Sequence, residues 1–179
     1  MKKNVLFVSS EAVPFIKTGG LADVAGSLPK YFDKEHYDVR VMLPKYLCIP
    51  EKWRSQMKYV THFYMDLAWR SQYVGVLEME YAGVHYYFID NEFYFAGPKP
   101  YGYIHEDIEK FAFFSKAALS AMPLLGFKPD IVHCHDWQTG LVPVYMKERF
   151  HDGEFFRDMK SIMTIHNLKF QGIWDLKKV

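Results

Sequence analysis

Three stretches of this chain carry residues able to do chemistry. The first is Ser9-Ser10-Glu11-Ala12-Val13-Pro14-Phe15-Ile16-Lys17-Thr18-Gly19-Gly20-Leu21. It follows a short apolar run, Val5-Leu6-Phe7-Val8, and leads into Leu21-Ala22-Asp23-Val24-Ala25-Gly26-Ser27-Leu28, which has helical spacing. A strand, a Gly-Gly turn and a helix N-terminus together make a seat for an anion. Backbone N–H groups point outward there and the helix dipole favours negative charge. Lys17 adds a mobile cation, and glycine lets a ligand approach the backbone closely. The arrangement suits the phosphates of a nucleotide or nucleotide sugar. It is not a G-x-G-x-x-G, because the glycines are Gly19, Gly20 and Gly26, nor a P-loop, because the lysine precedes the glycines. A plain strand-to-helix turn accounts for the same local residues.

The second stretch is Ile131-Val132-His133-Cys134-His135-Asp136-Trp137-Gln138. Its H-x-H-D admits a metallohydrolase site, with His105, His151 and His166 as candidates for the remaining ligands. Alternation along a strand puts His133 and His135 on one face, where they can equally be core histidines bonded to backbone. Asp136, Trp137 and Gln138 offer a carboxylate, an indole face and an amide, a set that suits a sugar. Asp136 or Thr139 could instead cap a helix. The third stretch, Thr164-Ile165-His166-Asn167 then Phe170-Gln171-Gly172, offers an imidazole for hydrogen bonding or proton transfer. Tyr101-Gly102-Tyr103 could reach the same cleft or simply pack. Ser9 and Ser10 lack a G-x-S-x-G setting, so a serine nucleophile finds no support.

The elements that must position these residues follow from apolar periodicity. Strands are expected over 5–9, 37–43, 130–135 and 160–166, and helices over 21–32, 106–122 and 139–149. Pro29 should bend or shorten the first helix. The helix over 106–122 has acidic residues in its first turn, an apolar stripe of Ile108, Phe111, Ala112, Ser115, Ala118, Leu119 and Met122, and Pro123 as its stop. Segments 59–67, 72–81 and 84–89 read as antiparallel strands, partly an insertion, with Ala82-Gly83 as a hairpin turn. Residues 93–104 read as a loop. Strands alternating with helices argue for an α/β fold with a mainly parallel sheet. All three chemical stretches then fall at strand C-terminal ends, where such sheets bind ligands.

The 179 residues suffice for one domain with a sizeable core, and half of them are hydrophobic, with fifteen Phe and thirteen Tyr. The net charge of +1 comes from mixed acidic and basic residues, with no basic block for nucleic acid. Cys48 and Cys134 make no disulfide framework. The apolar run after Met1-Lys2-Lys3-Asn4 is too short for a signal peptide, and none approaches the ~18 residues of a membrane span. A reducing cytoplasm is the expected home. Residues 174–179 follow the last strand with no closing helix, so the chain reads as a piece of a longer protein.

Taken in order, Ser9-Glu11, Pro14-Phe15-Ile16-Lys17-Thr18-Gly19-Gly20-Leu21-Ala22-Asp23-Val24, Tyr101-Gly102-Tyr103, Glu109-Lys110-Phe111-Ala112-Phe113-Phe114-Ser115, His133-Cys134-His135-Asp136-Trp137-Gln138-Thr139 and Thr164-Ile165-His166-Asn167 with Gln171-Gly172 span the chain. Together they resemble the bacterial glycogen synthases and plant starch synthases, the ADP-glucose-dependent glucosyltransferases.

The resemblance implies the N-terminal, Rossmann-like half of a GT-B enzyme, with helices on both faces of its sheet, an antiparallel hairpin insertion, and a C-terminal nucleotide-binding domain that this chain lacks. It implies transfer of glucose from ADP-glucose to the 4-hydroxyl of an α-1,4-glucan such as glycogen, with retention and without metal or cofactor. It implies His166 and Asp136 as catalytic residues, and Lys17, Gly19, Gly20 and Asn167 at the donor. Glu11, Asp23, Tyr101, Trp137 and Gln138 would line the cleft toward the acceptor. Residues 152–159 make a connection that is long for the family, expected as a surface loop. The expected partners are ADP-glucose, the glucan and the C-terminal domain, with no nucleic acid and no membrane. The half-enzyme alone is expected to be inactive. An isolated glucan- or anion-binding module is the alternative, and a metallohydrolase on His133, His135 and Asp136 a more remote one.

Overall fold

The computed structural model describes residues 2–173 and 175. Its strands are β1 (Lys3–Val8), β2 (Tyr37–Pro44), β3 (Lys58–Leu67), β4 (Arg70–Tyr81), β5 (Val84–Asp90), β6 (Ile131–His135) and β7 (Lys160–Thr164). They form a seven-stranded sheet in the order β3-β4-β5-β2-β1-β6-β7. The pairs β1–β2, β2–β5, β1–β6 and β6–β7 are parallel, and β3–β4 and β4–β5 are antiparallel. β1 lies at the middle of the parallel part, and its Leu6, Phe7 and Val8 are fully buried. A continuous apolar run is what a strand covered on both faces requires.

The helices are α1 (Gly20–Ser27), α2 (Glu51–Arg54), α3 (Glu92–Phe95), α4 (Ile104–Ala121) and α5 (Leu141–Tyr145). α1 joins β1 to β2 and α4 joins β5 to β6, so the chain crosses the sheet in opposite directions. Right-handed crossovers then put these two helices on opposite faces. The parallel strands β5-β2-β1-β6-β7 run in the Rossmann order, with the direction of winding reversing between β1 and β6.

Several elements differ from the sequence expectation. The first helix stops short of residue 32, in the way expected of Pro29: it ends at Ser27 and a 3-10 turn over Leu28–Tyr31 follows, because Pro29 lacks an N–H. β5 is antiparallel only to β4; it pairs in parallel with β2 and is a main strand rather than part of an insertion. The expected loop over 93–104 opens with α3, capped by the Asn91 side chain accepting from Tyr94 N–H. The helix expected over 139–149 is split into a 3-10 turn at Trp137–Thr139, α5, and a π turn over Met146–Phe150. Residues 174–179 lie, Asp175 apart, outside the described residues.

α4 is buried more widely than its predicted stripe. Phe113 stacks on Tyr94 with ring centroids 4.5 Å apart, and Phe114, Ala117 and Ala121 are also fully buried. Cys48 and Cys134 are both free, and burial pushes the Cys134 thiol up to about 12. Among the described residues no helix is long and apolar enough to cross a membrane.

Candidate functional site

A cleft of about 940 Å³ opens at the reversal point between β1 and β6. The loop after β1 forms one wall. The turn after β6 forms the floor, and the segment after β7 closes the far side. Of the residues singled out from sequence, Glu11, Gly19, Gly20, Tyr101, Asp136, Trp137, Gln138, His166 and Asn167 line it. Lys17 and Asp23 do not. They sit on its outer rim, where the Lys17 ammonium lies 2.8 Å from the Asp23 carboxylate and both are exposed.

The loop after β1 is shaped by burial and by one carboxylate. Phe15 is buried at the centre of an aromatic cluster, with ring centroids 4.8 Å from Tyr86, 5.1 Å from Phe88 and 5.6 Å from Trp53. Val13 N–H donates to Ala22 O, which ties the loop to α1. Gly26 permits this contact, since a β-carbon there would collide with the Val13 backbone. Glu11 is buried and its carboxylate closes the loop. Oε1 accepts from Thr18 Oγ1 and from the Tyr101 hydroxyl, each at 2.9 Å, and Oε2 accepts Thr18 N–H. Ser10 Oγ lies 2.8 Å from the Tyr101 oxygen. Burial, then the Glu11 charge, raises the Tyr101 pKa, so this phenol remains a donor. Glu11 and Tyr101 therefore spend their polar atoms on each other and on Thr18, which positions the turn that follows.

That turn delivers Gly19 and Gly20 to the start of α1. Gly19 is extended (φ −151°), no side chain caps the helix, and a β-carbon on either glycine would meet open space. The fold does not demand glycine at these two positions. What glycine leaves there is bare backbone at a helix N-terminus, open to an anion.

At the floor, Asp136 has φ 58° and ψ 177°, a region that residues with a β-carbon rarely occupy. Its neighbours hold it there. Asp136 N–H donates to Thr164 O at 2.9 Å, and the Thr139 hydroxyl bonds to the carbonyls of His135 and Asp136. The Asp136 carboxylate makes no cap. Oδ1 accepts His166 N–H at 2.7 Å, linking the end of β6 to the segment after β7.

The histidines form a stack instead of a metal cage. His133 and His135 rings lie 4.2 Å apart and His135 and His166 rings 5.2 Å apart. His133 Nε2 is 2.7 Å from Thr164 Oγ1, and His135 Nδ1 is 2.9 Å from His166 Nε2. Burial is the main cause lowering both His133 and His135, the latter to about 3. Among the described residues no three His, Cys, Asp or Glu side chains converge as metal ligands. His105 and His151 lie on the surface beside Glu106 and Asp152.

Trp137 is more enclosed than a sugar platform would be. Phe111 meets it edge-on at 5.4 Å, and a β-carbon at Gly172 (φ 63°) would fall within 2.5–2.8 Å of its ring atoms. Glycine at 172 thus lets the backbone cover one side of the indole. Gln138 Oε1 is buried and has no partner among the described residues.

Three contributors escaped the sequence reading. Thr18 supplies both donors to Glu11. Asp107 accepts Gly102 N–H at 3.0–3.1 Å and pairs with Lys110 at 2.6 Å, which anchors the Tyr101 loop. Lys169 brings a cation to the cleft wall that Lys17 does not line. The acidic first turn of α4 was the only signal for Asp107, and it pointed to the helix dipole instead.

A doubly wound sheet with a bare helix N-terminus, the Asp136 carboxylate and the His166 imidazole gathered at its reversal point defines an α/β domain of the Rossmann-like class with a ligand cleft at the strand ends. Residues 4–179 match the family described as Starch synthase catalytic domain, and the chain belongs to that family. It is 77% identical over 177 residues to a Glycogen synthase of Lachnospira eligens, covering 99% of this chain and 37% of that protein. A Glycogen synthase of Anoxybacillus flavithermus is 49% identical over 170 residues, 95% of this chain and 35% of that protein. The fold superposes with TM-score 0.81 and 27% identity on the catalytic domain of Starch Synthase IV from Arabidopsis thaliana bound to ADP and acarbose, covering 96% of this chain and 35% of that one. The chain thus spans little more than a third of the length of these relatives, and its fold is the N-terminal part of a GT-B glycosyltransferase.

Proposed function

We propose that this chain is the N-terminal half of an enzyme that transfers glucose from ADP-glucose to the non-reducing 4-hydroxyl of an α-1,4-glucan such as glycogen, keeping the α configuration. The observation that carries this reading is the convergence of the Gly19-Gly20 amides, Asp136 and His166 on one cleft at the sheet's reversal point. The starch synthase neighbour, bound to ADP and acarbose, supports the same ligand classes.

In this reading the donor diphosphate sits at the N-terminus of α1, where unpaired N–H groups oppose the charge that grows on the leaving ADP. Lys17 swings from Asp23 to the same phosphates, and the exposed pair gives up little in doing so. Asn167 also faces the donor. His166 and Asp136 address the transferred glucose, while Tyr101, Trp137 and Gln138 shape the acceptor side and Glu11 holds the loop. A C-terminal domain supplies the other wall, and closure of the two excludes water from the donor. Half a cleft should not catalyse transfer, so the chain by itself is inactive.

Calorimetric titration of ADP-glucose and a maltooligosaccharide, into this chain and into the full-length enzyme, tests the reading. Tight donor binding by the full-length enzyme only, weakened on the order of 10-fold or more by Lys17→Ala, is the expected result. Binding of neither ligand by either protein would overturn it.

A further inference from the structure

The stacked histidines beneath the cleft contain a choice of proton position that burial decides. His135 Nδ1 and His166 Nε2 are 2.9 Å apart, so one nitrogen donates and the other accepts. His135 is completely buried, and its other nitrogen, Nε2, has no partner among the described residues. If His166 were the donor, a neutral His135 would have to carry its proton on Nε2, leaving a buried N–H with nothing to bond. If His135 is the donor, Nε2 keeps only an unpaired lone pair. Orphaned buried N–H groups are rarer in folded proteins than under-satisfied acceptors, so the second arrangement wins.

The surroundings close the other routes. From β1, Phe7 presents a ring 4.8 Å from both His133 and His135. From β6, His133 stacks on His135, but its Nε2 is engaged by Thr164 of β7. The Asp136 carboxylate, the nearby charge, is turned to the His166 backbone N–H. A doubly protonated His135 is disfavoured by burial and by both neighbouring imidazoles.

We propose that His135 is a positioning residue that sets the tautomer of His166: His135 Nδ1–H donates to His166 Nε2, so His166 carries its proton on Nδ1. That nitrogen has no partner among the described residues, and His166 lines the cleft. His166 is then held at two points by consecutive residues, its backbone by Asp136 and its ring by His135. It meets a sugar as a fixed N–H donor to a hydroxyl oxygen. The sugar's part in this rests on the proposed function; the tautomer does not.

The test uses the full-length enzyme labelled with 15N-histidine and two variants. His135→Asn keeps an amide donor where Nδ1 stood, and His135→Leu removes it. Imidazole 15N shifts, assigned with His166→Gln, report which nitrogen of His166 is protonated. Wild type and His135→Asn should show the Nδ1–H form, and His135→Leu a mixture. In glucosyl transfer, His135→Asn should stay within about 3-fold of wild type. His135→Leu should lose up to about 100-fold in kcat with little change in KM for ADP-glucose, as misorientation of a reacting group does. An Nε2–H form of His166 in the wild type would overturn the proposal, and so would equal loss in both variants with an unchanged tautomer. Should His135→Leu not fold, the wild-type shifts and the Asn variant still decide. A wild-type enzyme that transfers no glucose would instead defeat the proposed function and leave the tautomer result standing.

Discussion

Asp136 holds His166 through the backbone, its Oδ1 accepting the His166 N–H at 2.7 Å, while its own backbone is held at φ 58°. A residue with a β-carbon in this region costs about 1–3 kcal/mol. Strain of that kind is retained where the side chain has a task. Asp136→Ala keeps the strain and loses the carboxylate, whereas Asp136→Gly loses both. Asp136→Gly should therefore unfold at higher denaturant than Asp136→Ala, by about 1–2 kcal/mol. Both should lose on the order of 100-fold or more of glucosyl transfer in the full-length enzyme. Equal stability of the two variants would show that the backbone is not strained.

The glycines of the first loop separate by role. Gly26→Ala forces a β-carbon into the Val13 backbone and should cost at least about 2 kcal/mol in urea unfolding. Gly19→Ala and Gly20→Ala face open space and should leave stability within about 0.5 kcal/mol. Their expected effect is weaker ADP-glucose binding, read by titration of the full-length enzyme. A large loss of stability at Gly19 or Gly20 would return these residues to a purely structural part.

Tyr101 and Glu11 act as a latch on the same loop. Tyr101→Phe removes the donor to Glu11 and the partner of Ser10, and should destabilise by about 1–3 kcal/mol. Glu11→Ala should do more, since Thr18 N–H and Oγ1 both lose their acceptor. Hydrogen exchange at Thr18 N–H should accelerate strongly in Glu11→Ala and less in Tyr101→Phe. Unchanged protection would place the loop's stability in Phe15 alone.

Stability should fall as the pH drops below about 6.5, because His135 is buried. The unfolded His135 takes up a proton near pH 6.5, but the folded one does so only at about 3. Between these values the unfolded state binds more protons, so unfolding becomes easier as pH drops, by up to about 1.4 kcal/mol per pH unit from this residue. The stabilisation is complete above pH 6.5. His133, lowered in the same direction, adds to the slope. Urea unfolding of His135→Asn from pH 7 to pH 4 should show a shallower loss than wild type.

Much of this molecule could be read locally. Val5-Leu6-Phe7-Val8 is apolar without interruption, as a short strand buried on both faces is, and the Ser9-Ser10-Glu11 that follows bounds it. Pro29 and Pro123 announced where helices give way, because a missing N–H is a local fact. Strand C-terminal ends were legible too, so the site's neighbourhood followed from the alternation of elements. The split of the 139–149 segment was less so, since its turns depend on how Thr139 bonds back to His135 and Asp136.

What the sequence by itself determined was therefore the set of elements, their α/β alternation and the short motifs at the strand ends, all of which depend on neighbours a few residues apart. The tertiary structure decided which side chains spend their polar atoms on one another. Lys17 pairs with Asp23, Glu11 with Thr18 and Tyr101, and His135 with His166. It also decided that 84–89 is a main strand, because strand direction is set by the partner across the ladder. The H-x-H-D spacing admits core histidines as well as the more remote metal site. Only the burial of His135 against Phe7, and the arrival of His166 from the segment after β7 some thirty residues later, selects the stack.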